Sequence, residues 1–68
     1  MGISRWYLTA TYFESGDEQN ALVALEETRK VNYDFTEQDL VRLAGFFVKK
    51  NNFIELEIVY ENLIRIKP

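Results

Sequence analysis

The residue types that most often carry out protein chemistry are missing from this chain or scattered along it. None of its 68 residues is His or Cys, which removes the commonest general base, the thiol nucleophile and the usual zinc ligands. Carboxylates remain, in the form of 11 Asp and Glu. Glu26-Glu27, Glu55 and Glu57 are of the residue type that paired acid–base catalysis uses. At helical spacing these side chains fall on or near helix surfaces with Lys or Arg within reach, so solvated faces account for them. Neither an E-x-x-H spacing of the di-iron type nor a Gly-rich phosphate loop occurs. The expectation is a chain that is not an enzyme, with no catalytic residues, no metal and no cofactor.

Cations are the next candidates for a site. The formal net charge is −3 and the pI about 4.8, whereas a nucleic-acid binder needs clustered Lys and Arg to displace counterions from phosphates. Arg29-Lys30, Lys49-Lys50, and Arg65 with Lys67 each fall where a helix would end. There they complement the negative end of a helix dipole. No nucleic-acid partner is expected.

The elements that position these residues are legible from punctuation. The only Pro is the last residue and the three Gly are spread out, so long helices are permitted. Ile3, Trp6, Leu8, Tyr12 and Phe13 give a helix across residues 4–15 with Ser4 as its N-cap. Ser15-Gly16 breaks it. Asp17 caps a second helix, Glu18 adds negative charge to its first turn, and Arg29-Lys30 ends it. Asn32–Phe35 reads as a link. Thr36 followed by Asp39 is a near capping box for a third helix. Leu40, Leu43, Ala44, Phe47 and Val48 then make a dense amphipathic face. Lys49-Lys50 and Asn51-Asn52 close that helix, and a fourth runs from about Phe53 to Lys67. The order is two helix–turn–helix hairpins joined by a link, an order that a four-helix bundle also has.

Apolar residues make up 47% and aromatic residues 15%, too many for a disordered chain. No stretch approaches the roughly 18 apolar residues of a membrane span, and the N-terminus lacks the order of a signal peptide. Met1-Gly2 does not read as a myristoylation signal, because Trp6 stands where Ser or Thr is wanted. The absence of Cys fits a reducing, cytoplasmic-type setting and leaves the compartment open.

Laying the second half on the first with a shift of 35 pairs Leu8 with Leu43, Tyr12 with Phe47, Gly16 with Asn51, Ala21 with Leu56 and Leu25 with Tyr60. The second half reads Leu40-x2-Leu43-Ala44-x2-Phe47, then Asn51, Leu56-x3-Tyr60, Leu63 and Pro68. The first half reads Arg5-x2-Leu8-Thr9-x2-Tyr12, then Gly16, Ala21-x3-Leu25, Thr28 and Tyr33. In these spacings the chain resembles the tetratricopeptide repeat family over essentially its whole length, as repeats at 1–34 and 35–68. Two departures stand out. Arg5 occupies the place of the family's large aromatic, with Trp6 one position later. Leu56 replaces a small residue, which would splay the second hairpin.

The resemblance implies an all-α fold of two antiparallel hairpins stacked in a right-handed superhelix, acting as a scaffold that binds a protein or peptide. It places groove-facing positions at Ile3, Trp6, Ala10 and Phe13 in the first repeat and at Gln38, Val41, Gly45 and Val48 in the second. The family's carboxylate clamp is missing from those positions, so an apolar groove is implied. Gly45 inside a helix costs about 1 kcal/mol against Ala, which calls for close approach, either of a neighbouring helix or of a ligand backbone. The fourth helix carries Ile54, Ile58, Val59 and Ile66 as a candidate self-association face, because a terminal repeat otherwise ends in a polar helix. A homo-oligomer, by domain swapping or as a symmetric dimer, is the alternative expectation. A segment of a longer repeat array is another, and pairs of such repeats also form tails on larger bacterial proteins, including membrane-embedded ones.

Overall fold

In a computed structural model, which describes residues 4–66, every regular element is a helix. Among the described residues there are four: α1 (Arg5–Glu14), α2 (Glu18–Lys30), α3 (Glu37–Lys49) and α4 (Phe53–Ile66). Two compact units divide the chain, the boundary falling between Tyr33 and Asp34. The first holds α1 packed on α2, the second α3 packed on α4.

Each helix begins on a side-chain acceptor. Ser4 Oγ takes the Tyr7 N–H at 3.1 Å, and Asp17 Oδ1 takes the Asn20 N–H at 3.3 Å. Thr36 Oγ1 accepts from the Asp39 N–H at 3.1 Å while Asp39 Oδ2 accepts from the Thr36 N–H, also at 3.1 Å. That reciprocal pair is a full capping box even with Asp in the third position. Asn52 Oδ1 does the same work for α4, receiving the Glu55 N–H at 3.3 Å. Its capping role was hidden in the sequence by its position in an Asn-Asn turn.

The ends of α1, α2 and α3 share one geometry. Gly16, Asn32 and Asn51 have φ of 84°, 54° and 57°, in the left-handed region. After α1, the Gly16 N–H bonds to the Phe13 carbonyl and the Asp17 N–H to that of Tyr12. Asn32 with Tyr33, and Asn51 with Asn52, repeat the pattern onto Arg29 and Thr28, and onto Val48 and Phe47. These are Schellman closures, which satisfy the last orphan carbonyls of a helix. In both hairpins the left-handed residue is followed at once by the next N-cap, so the turn needs only two residues beyond the C-cap.

Within unit 1, Trp6, Thr9, Ala10 and Phe13 of α1 are buried, along with Ala21, Leu25 and Thr28 of α2. Trp6 also stacks on Tyr33, ring centroids 6.4 Å apart and planes 25° off parallel. In unit 2 the buried residues are Leu40, Leu43, Ala44 and Phe47 of α3, with Leu56 and Val59 of α4. Leu56 is accommodated in that core, and α3 with α4 pack less extensively than α1 with α2 despite being longer.

The buried faces correct the internal alignment. Trp6, Thr9, Ala10 and Phe13 match Leu40, Leu43, Ala44 and Phe47 at a shift of 34, whereas Gly16 and Asn51, and Asp17 and Asn52, match at 35. The difference sits at the end of the first helix of each hairpin. Three positions separate Phe13 from Gly16, and four separate Phe47 from Asn51. The face of α1 is therefore turned by about one residue, or 100°, from the one expected. Leu8 is exposed and Tyr12 only half-buried, because the larger surfaces of Trp6 and Phe13 take the inward arc.

Candidate interaction surfaces

That rotation redistributes the positions expected to line a groove. Trp6, Ala10 and Phe13 are buried and so are not open to a partner, and Ile3 lies outside the described residues. The corresponding outward positions of α1, taken 34 residues before Gln38, Val41, Gly45 and Val48, are Ser4, Tyr7, Thr11 and Glu14. All four are exposed. A single shift for core and turn conceals them, because the core of α1 matches that of α3 at 34 and the turn at 35.

On α3 the expected positions lie at the surface. Gln38, Val41, Gly45 and Val48 are all exposed, at spacings that place them on one side of the helix. Arg42, Gly45, Phe46, Val48 and Lys49 line a shallow depression of about 370 Å³. A Cβ added at Gly45 would have no atom within 4 Å, so packing among the described residues of unit 2 does not explain the glycine. Ala10, its counterpart at a shift of 35, is buried in unit 1, and the two no longer share a role.

The α4 face also changes. Val59 is completely buried, which removes it from any self-association surface: its side chain is part of the unit 2 core. Ile54, Ile58 and Ile66 are exposed, but Ile66 sits about 80° around the helix from Ile58. A straighter open stripe runs through Phe53, Tyr60 and Ile64, exposed by 66%, 49% and 67%. With Glu57 it has the 4-3-4 spacing of a helix seam.

No family model, curated protein or solved structure matches this chain. The acidic residues are dispersed: among the described residues no three carboxylates gather in a way that would hold a metal ion. Glu26 reaches Lys30 at 3.8 Å across one helical turn, an exposed pair of small energetic weight. No helix of the described residues is long and apolar enough to cross a membrane.

Proposed function

We propose that the chain is a non-enzymatic protein-interaction module of tetratricopeptide type, binding a protein segment against the outer face of α3. Gly45 carries this reading. A glycine at an exposed position in the middle of a helix costs about 1 kcal/mol against alanine, and nothing among the described residues of unit 2 crowds it. Val41 and Val48, one turn to either side, are apolar and open to solvent. A valley flanked by two valines admits another backbone closely, and the neighbouring exposed Lys49 favours an acidic, apolar segment.

The corrected register supports the family assignment as well. Trp6-x2-Thr9-Ala10-x2-Phe13 now falls on the pattern that Leu40-x2-Leu43-Ala44-x2-Phe47 follows, with Trp6 at the family's large aromatic position. Their separation of 34 is the family's repeat length.

The test uses a photo-reactive residue at Val41 or Val48, with exposed Thr11 as a control, and identifies the crosslinked protein by mass spectrometry. Crosslinking of one protein at both α3 positions is expected, with loss on Gly45→Leu. Gly45→Ala should raise stability by up to about 1 kcal/mol while weakening capture, measured by thermal denaturation beside the crosslink yield. Equal capture by wild type and Gly45→Leu would overturn the reading.

A further inference from the structure

The open face of α4 is built differently from its counterpart in α2. At a shift of 35, Phe53, Glu57, Tyr60 and Ile64 correspond to Glu18, Leu22, Leu25 and Arg29. Leu25 is 1% exposed, while Leu22, Glu18 and Arg29 are half-buried. On α4 the charged ends of that row are replaced by Phe53 and Ile64, and both side chains stand open. Large apolar residues at positions where the sister helix carries charge mark a surface that is covered in the working protein.

The row is also self-complementary. Phe53 and Ile64 lie equally far from the point between Ile58 and Val59, and so do Glu57 and Tyr60. Two antiparallel copies of α4 related by a two-fold axis through that point would set Phe53 against Ile64 of the other copy, twice. The Tyr60 hydroxyl would meet Glu57 of the other copy, also twice. The 4-3-4 spacing alternates the two seam positions, and an antiparallel pair matches unlike positions in each layer. A phenol O–H donating to a carboxylate is a charge-assisted hydrogen bond, which compensates for placing Glu57 at the seam. In an in-register parallel pair Glu57 would face Glu57, and the like charges would repel.

We infer that α4 is the contact of an antiparallel, two-fold symmetric homodimer, with Phe53 packed on Ile64 and Tyr60 bonded to Glu57 across the axis. The contact is small. Its three apolar side chains expose roughly 350 Å² per copy, taking about 200 Å² for a large side chain, so with its rim the contact belongs to the weak class below about 1,200 Å² in total. Assembly is therefore expected between about 10 µM and 1 mM. The inference stands apart from the α3 reading, and the substitutions that test it leave α3 unchanged.

Sedimentation equilibrium over that range, with helicity recorded on the same samples, tests it. Phe53→Lys and Ile64→Glu should each weaken self-association at least about tenfold, since each places a charge against an apolar partner. Mixed together, the two variants restore one Phe53–Ile64 layer and set Lys against Glu in the other, so a heterodimer should form. If the dimer is needed for folding, the same mixture should regain helicity. A wild-type chain that stays a helical monomer to 1 mM would overturn the inference. So would a mixture that remains monomeric, which is the parallel outcome, or a series of ever larger species.

Discussion

At the scale of single residues, the least obvious feature is the buried threonine pair. Thr9 Oγ1 donates to the Arg5 carbonyl at 2.8 Å, Thr28 Oγ1 donates to the Ala24 carbonyl at 2.8 Å, and the two oxygens lie 3.3 Å apart. Two hydroxyl protons cannot serve all three contacts at full strength. A bond across the pair forms only when one hydroxyl turns away from its own helix. Unit 2 places leucines, Leu43 and Leu63, at the corresponding sites and needs no polar pair. Replacing both threonines with the isosteric valine should therefore change stability by no more than about 1 kcal/mol, in either direction, because no buried donor is stranded. Chemical denaturation of Thr9→Val, Thr28→Val and the double variant would measure it. A loss of several kcal/mol in the double variant would mean that the hydroxyls cooperate.

At the scale of elements, each hairpin depends on a residue that tolerates the left-handed region. Gly16 does so without strain, and Asn51 does so as a tolerated L-residue. Gly16→Ala should lower stability by about 1–2 kcal/mol, whereas Asn51→Gly should be neutral or stabilising by up to about 1 kcal/mol. Melting curves of the two variants give the contrast directly. These turns were readable because their signals are local: a Gly or Asn that tolerates the left-handed region, followed in the first hairpin by Asp17 as the next cap. Ser4, Asp17 and Thr36 were legible for the same reason. The facing of α1 was not. A one-residue shortening between Phe13 and Gly16 leaves every local signal intact while rotating the whole helix. The burial of Trp6, Thr9 and Phe13, with Leu8 exposed, reveals it. The candidate surface followed suit: the positions named on α3 lie outward, while the outward positions of α1 are one residue along from those named. Val59 was misplaced because α4 is apolar on several sides, and composition cannot say which side faces the core.

At the scale of the whole molecule, the packing partners are sequence neighbours, α1 with α2 and α3 with α4. Low separation between contacting residues makes folding fast, on the order of microseconds to milliseconds. Stability is a different matter. Each unit spans fewer than the roughly 40 residues below which chains usually need disulfides, metals or association, and this chain has no Cys. A peptide of residues 34–68 alone should therefore show much weaker helicity at low micromolar concentration than the intact chain. Circular dichroism of the two at equal residue concentration would check this. A peptide as helical as the parent would place the whole stability of unit 2 within its own hairpin.

Trp6 is the only tryptophan in the chain, and its indole lies in unit 1 against Tyr33. Its emission is thus a local gauge. Excited at its red edge, where tyrosine absorbs little, the protein should fluoresce in proportion to the intactness of the first hairpin. Far-ultraviolet ellipticity, by contrast, sums all four helices. Recorded along one temperature ramp, the two signals separate the melting of α3 and α4 from that of α1 and α2, with no label attached and no residue changed.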